Sequence, residues 1–114
     1  MDAMHALLGR SSAPKLADPA PEGEVRERIF RAALRAPDHA RLRPWRFHVV
    51  EGEARSRLGE ALARAMQARD PGSDEAALAK LRANPLRAPL VLLMVARITE
   101  HPKVPALEQQ FSVA

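Results

Sequence analysis

The 114-residue sequence contains no cysteine. This absence excludes disulfides, thiolate metal ligands and a cysteine nucleophile, and it is typical of proteins from a reducing cytoplasm. Long apolar runs are also missing, because the longest one, residues 89–96, is far shorter than the roughly 20 residues that span a bilayer. Residues 1–8 lack the basic-then-apolar pattern of a signal peptide. We therefore expect a cytoplasmic protein that does not engage a membrane.

Metal-binding and nucleophile motifs are lacking as well. The histidines, at positions 5, 39, 48 and 101, are scattered, and none of them forms a pair on one helical turn, as zinc sites often require. No convincing combination of a nucleophile with a base is visible. We predict no metal site and name no catalytic side chain.

Positive charge is present and is concentrated in one region. The chain has a net charge of +4, but residues 26–46 alone carry seven arginines against Glu27 and Asp38. A local excess of this kind predicts one anionic site. A basic module that binds nucleic acid is the alternative, although only Trp45 offers a stacking surface with basic neighbours. The apolar fraction of 46% and the length fit one folded domain.

Apolar periodicity and breakers outline the elements. They predict helices over residues 1–8, 22–34, 53–69, 73–84 and from 105 onward, and strands over 47–50 and 89–96. The second strand is apolar on both faces, which is typical of the middle of a sheet covered on both sides. Because the last helix lacks a capping glycine, we expect residues 1–114 to be the N-terminal part of a single, longer domain.

Six sequence pieces then occur in a recognisable order and spacing. They are the Met-Asp-Ala start, Arg10-Ser11-Ser12, and residues 35–39, 43–52, 87–91 and 103–109. Together they resemble the nitroreductase family, and more narrowly its small YdjA-type branch. The resemblance covers the whole chain and implies an α+β fold with a mixed sheet flanked by helices, C-terminally truncated here.

The same resemblance implies a function. Members of the family are FMN-dependent homodimers that hold two flavins at the subunit interface. They pass hydride from NAD(P)H through FMN to a nitroaromatic, a quinone or a similar small-molecule acceptor. A truncated, non-catalytic remnant of this family is the alternative. A nucleic-acid partner is not expected from the resemblance.

Site residues are carried over by position. Arg10, Ser11 and Ser12 match the family's N-terminal flavin-binding loop, although the family usually has a second arginine where Ser11 stands. Arg35 and His39 match further FMN contacts made across the dimer, and the Pro44-Trp45 turn matches the lining of the flavin pocket. A cation such as Arg35 near the flavin ring would favour its reduction.

Without the resemblance, these residues have simpler interpretations. Residues 10–12 could form an exposed polar loop. Arg35 could be a favourable cation at a helix C-terminus, and His39 could be a turn residue hydrogen-bonded to Asp38. Trp45 could be an anchor of the core. The local sequence leaves each pair of interpretations open.

Overall fold

A computed structural model describes residues 2–114 as an α+β chain, which confirms the predicted class. The elements run in the order α1 (Ala3–Gly9), α2 (Gly23–Ala33), β1 (Trp45–Glu51), α3 (Ala54–Arg69), α4 (Glu75–Ala83), β2 (Leu90–Ala96) and α5 (Ala106–Val113). The predicted first helix included Met1, which lies outside the described residues. Within residues 2–114 no helix combines the length and the apolar character needed to cross a membrane.

The N-terminal arm is attached through its loop. Helix α1 begins at Asp2, whose carboxylate accepts a hydrogen bond from the backbone N–H of His5 at 2.8 Å, yet α1 buries none of its residues. The following loop is fixed by the N–H of Leu16, which donates to the carbonyl of Arg87 at 2.7 Å. Arg87 Nε in turn donates to the carbonyl of Pro14 at 2.6 Å. The loop after α1 is therefore anchored to Arg87 on both sides of Lys15.

The sheet consists of β1 and β2, paired antiparallel from Trp45↔Ala96 to Glu51↔Leu90. Residues 90–93 are half-buried and residues 94–96 are exposed. The prediction of a central strand covered on both sides therefore does not describe this sheet. The physical reason is that the second edge of β2 has no strand partner among residues 2–114, and of the helices mainly α5 packs against this strand.

Helices α3 and α4 pack closely because of a glycine. The backbone of Arg82 in α4 lies where a side chain at Gly59 would point, with Arg82 Cα 2.9 Å from an ideal Cβ at that position. The buried positions of α3 are consequently Gly59 and Ala63. Leu62, a larger apolar residue of the same helix, remains 40% exposed. Close backbone approach thus decided which face of the helix is buried.

The hydrophobic core is small. Its buried apolar side chains are Trp45, Ala63, Leu78 and Val104. The apolar face of α2 lies largely at the surface, since Val25 and Ile29 are 58% and 48% exposed. Only Phe30 of that helix makes an aromatic contact, with Phe47 of β1 at 5.8 Å between ring centroids. Much apolar surface of α1 and α2 is therefore exposed.

Candidate functional site

Three adjoining clefts meet at Ala36, directly after the end of α2. The helix cannot continue here because Pro37 disfavours helical geometry at the preceding residue. The chain instead enters a short 3₁₀ turn, His39–Arg41, before β1 starts at Trp45. Ala36 lines all three clefts. The helix end, the turn and the first strand residue thereby build one continuous concave surface.

The first cleft is basic and has a volume of about 400 Å³. We call it the basic cleft; it is lined by Leu34, Arg35, Ala36, Asp38, Arg41, Arg43 and Trp45. Three arginines and one aspartate thus line the same cleft. The Asp38 carboxylate already accepts a hydrogen bond from the backbone N–H of Arg43 at 2.7 Å. The cleft suits an anion.

The second cleft is mostly apolar and smaller, at about 180 Å³. We call it the apolar cleft; it is lined by Ala33, Ala36, Trp45, Phe47, Met94, Ser112, Val113 and Ala114. Trp45 is shared with the basic cleft and is only 8% exposed. The interpretation of Trp45 as a core anchor is therefore confirmed, and the same side chain also lines both clefts.

The third cleft, about 710 Å³ in volume, contains His39 and faces α5. His39 Nδ1 lies 2.8 Å from Glu108 Oε1, so the proposed turn hydrogen bond between His39 and Asp38 is replaced by a contact 69 residues away in sequence. Phe111 lies in the same cleft and is exposed. The sequence interpretation missed Glu108 as a partner of His39, and no local signal connects the two positions.

A buried glutamine holds α5 in place beside this cleft. Gln109 is 1% exposed. Its side-chain oxygen accepts from the N–H of Thr99 at 3.0 Å, and its amide nitrogen donates to the carbonyls of Thr99 at 2.9 Å and Val104 at 3.1 Å. These bonds join the loop before α5 to the helix. Gln109 thereby positions the neighbouring Glu108, a role that sequence reasoning did not assign.

The predicted residues fall into two groups. Arg35 and His39 line adjoining clefts that share Ala36 and Asp38. Residues 10–12 line none of these three clefts; they are exposed, with Arg10 Nη1 donating to Ser12 Oγ at 3.5 Å. Their assignment as flavin contacts stays a prediction.

The donor set of the clefts fits a flavin mononucleotide better than a metal. Among residues 2–114 no group of three histidine or carboxylate side chains is close enough to hold a metal ion. An apolar surface made by Trp45, Phe47 and Met94 suits a flat aromatic ring, while guanidinium groups suit a phosphate. The apolar cleft and the basic cleft meet at Ala36. A ligand with one apolar and one anionic end requires two such surfaces side by side.

Comparison with known proteins defines the class. The family model described as "Nitroreductase family" matches residues 7–113, and the chain belongs to this family. It is 47% identical over 112 residues to the Escherichia coli protein named "Putative NAD(P)H nitroreductase YdjA". A Haemophilus influenzae protein named "Putative NAD(P)H nitroreductase" is 43% identical over 113 residues. The resemblance to the YdjA-type branch is thereby confirmed.

The extent of these matches is uneven. Each covers 98% of this chain and 60% of the relative, so the chain spans about three fifths of the length of those relatives. A shorter match, 48% identical over 58 residues, links half of this chain to 28% of a Thermus thermophilus protein named "NADH dehydrogenase". All three names contain NADH or NAD(P)H.

Proposed function

We propose that the chain belongs to an FMN-dependent NAD(P)H oxidoreductase that acts as a homodimer in the cytoplasm. In this proposal, hydride passes from NAD(P)H through bound FMN to a nitroaromatic, a quinone or a similar acceptor. The observation that carries the proposal is the meeting of a basic and an apolar cleft at Ala36, in a chain of the nitroreductase family.

The proposed roles follow from the chemistry of the lining residues. FMN, when bound, supplies a ring that accepts hydride and returns it to an acceptor. Trp45 and Phe47 offer apolar surface for such a ring, and Arg35 offers a cation that would stabilise negative charge developing near it. His39 is held by Glu108 at 2.8 Å, which fixes the imidazole orientation. No side chain of the described residues has to act as a nucleophile.

A second subunit would complete the site. Arg10 and Ser12 carry the donors that the family resemblance assigns to the polar end of FMN, yet they line none of the three clefts of their own chain. Two copies related by a twofold axis would allow each loop to reach the clefts of its partner. This arrangement also explains why α1 exposes Met4, Leu7 and Leu8.

The test is the visible spectrum of the purified chain mixed with FMN and then passed over a desalting column. We expect flavin absorption to co-elute with the protein and to bleach when NADH or NADPH is added under anaerobic conditions. A protein that retains flavin without bleaching would support the non-catalytic remnant. A colourless protein would contradict FMN binding.

The nucleic-acid alternative is tested in the same preparation. Arg26 and Arg31, two members of the basic region, are already paired with Glu51 at 2.8 Å and with Glu27 at 2.6 Å. We therefore expect the protein to elute from heparin at low salt. Retention that falls steeply with salt, combined with a colourless protein, would favour the nucleic-acid module.

A further inference from the structure

The basic cleft contains two arginines for which the proposed flavin site gives no role. Arg41 and Arg43 line it together with Arg35 and Asp38. Of these three arginines, the family resemblance assigns only Arg35 to the cofactor. A cleft of about 400 Å³ lies in the size range of small-ligand sites. The question is what the three arginines that line this cleft bind.

These guanidinium groups are not engaged within the chain. Among residues 2–114, no ion pair and no side-chain hydrogen bond involves the guanidinium of Arg35, Arg41 or Arg43. By contrast, Arg82 is paired with both Glu60 and Glu75. All three arginines are exposed, so their mutual repulsion is screened by water, and an anion in the cleft would reduce it further. One carboxylate, that of Asp38, leaves an excess of two positive charges.

The loop that carries Arg41 and Arg43 has an unusual backbone. Ala40, Arg41 and Arg43 have φ values of 61°, 52° and 47°, in the left-handed region that residues with a Cβ seldom adopt. Asp38 stabilises this path, since its carbonyl accepts from the N–H of Arg41 at 3.3 Å and its carboxylate accepts from the N–H of Arg43. Strained residues of this kind gather at functional sites. Here the strain accompanies two side chains that line one cleft.

We propose that Arg41 and Arg43 bind a phosphate group in the cleft that Arg35 also lines. Guanidinium groups bind phosphate oxygens in pairs, and a phosphate monoester carries about −1.5 to −2 charges at pH 7, which matches the excess in the cleft. The identity of the phosphate rests on the proposed function: it belongs either to FMN or to the 2′-phosphate of NADPH. The shared chemistry is a phosphate monoester.

The first test needs no flavin. Trp45 is the sole tryptophan of a chain without tyrosine, and it lines the basic cleft, so intrinsic fluorescence reports on this cleft. Inorganic phosphate, titrated at constant ionic strength against chloride, should give a saturable change. The double variant Arg41→Gln/Arg43→Gln should lose at least tenfold in apparent affinity.

A matched control removes the same charge elsewhere. Arg57 and Arg64 are exposed on α3, and Arg57→Gln/Arg64→Gln should respond to phosphate as the unmodified protein does. Thermal melts by circular dichroism establish that both variants fold, and the single Arg41 and Arg43 variants replace the double one if it does not. An equal response in all proteins, or no saturable response to phosphate, would refute phosphate binding in the basic cleft.

The second test identifies the phosphate. If it belongs to FMN, the Arg41/Arg43 variant should lose at least tenfold in affinity for FMN and little for riboflavin. If it belongs to the dinucleotide, the variant should lose its preference for NADPH over NADH and keep FMN. Either result supports the cleft, and unchanged ratios in both comparisons contradict it. A protein that binds phosphate but no flavin would refute the proposed function and retain the cleft.

Discussion

At residue 109 a single amide closes a buried polar network. Gln109 makes its three hydrogen bonds to backbone groups of Thr99 and Val104. Replacing it by alanine removes these bonds and leaves buried donors and acceptors unpaired. Because each such group costs about 1–3 kcal/mol, we expect Gln109→Ala to lower the free energy of unfolding by roughly 2–4 kcal/mol. Urea denaturation measures this change.

The neighbouring glutamine provides the control. Gln110 is exposed and lies on the same helix, so Gln110→Ala should change the free energy of unfolding by less than about 0.5 kcal/mol. Equal effects of the two substitutions would show that the Gln109 network adds nothing beyond helix propensity.

Arg10 gives the residue-scale test of the N-terminal loop. If its guanidinium makes a charge-assisted bond to the phosphate of FMN, Arg10→Ala should weaken FMN binding by on the order of 1.5–3 kcal/mol. Fluorescence titration with FMN measures the loss, and Arg64→Ala, which removes an equal charge from the exposed side of α3, serves as control. An unchanged affinity in Arg10→Ala would remove that role.

Site residues were predictable only where the sequence places them near one another. Arg35 and His39 are four positions apart, and the structure brings them to adjoining clefts. Glu108 and Gln109 escaped assignment because their partners, His39 and Thr99, become neighbours only through folding. The shared cleft of Arg41 and Arg43 was not predicted either. Both residues have a left-handed backbone, and the sequence contains no glycine there that would indicate this conformation.

At the scale of elements, the contact between α3 and α4 depends on the missing side chain of Gly59. A Cβ at this position would meet the backbone of Arg82, which cannot move without displacing α4. We therefore expect Gly59→Ala to lower the free energy of unfolding by about 1–3 kcal/mol, despite the higher helix propensity of alanine. Thermal and urea denaturation measure it.

A second glycine separates steric overlap from backbone strain. Gly52 has a φ of +57°, and a Cβ there would have no heavy atom within 4 Å. Gly52→Ala should thus lower the free energy of unfolding only through the strain of a left-handed backbone at alanine, by about 1–2 kcal/mol. If Gly59→Ala were neutral or stabilising while Gly52→Ala destabilised, the close packing of α3 on α4 would be refuted.

The ends of the helices and strands were easier to predict than which of their faces are buried. Local signals fix the ends: Asp74 caps α4 by accepting from the N–H of Ala77 at 2.7 Å, and α5 starts directly after Pro105. Periodicity also located α2, but the apolar face that includes Val25 and Ile29 remains largely exposed. Burial depends on which elements meet, and the apolar pattern of one helix does not contain that information.

The whole molecule exposes more surface than a compact chain of its size. Its accessible surface is 9069 Å², whereas a compact monomer of 12.5 kDa is expected to expose about 6,200 Å². The radius of gyration is 17.3 Å, against about 13 Å for compact domains of roughly 100 residues. The difference is about 2,900 Å², and in the proposed homodimer the second subunit covers part of it.

Helix α1 is too short to be stable without another surface to pack against. Helices shorter than about 12–15 residues are marginal in water, and α1 has 7 residues, none of them buried. Met4, Leu7 and Leu8 form one apolar face, with Leu8 80% exposed. In the proposed homodimer this face packs against the second subunit.

Sedimentation equilibrium should accordingly show a dimer that Leu8→Gln weakens. A polar group placed in an apolar interface costs about 1–3 kcal/mol, and a twofold dimer contains the substitution twice, so the dissociation constant should rise by at least about tenfold. Ala6→Gln places the same side chain on the opposite face of α1 and should leave the dimer intact. A monomer at all concentrations, or equal weakening by both substitutions, would contradict packing through this face, and FMN that co-elutes with a monomer would show that one subunit suffices to hold the cofactor.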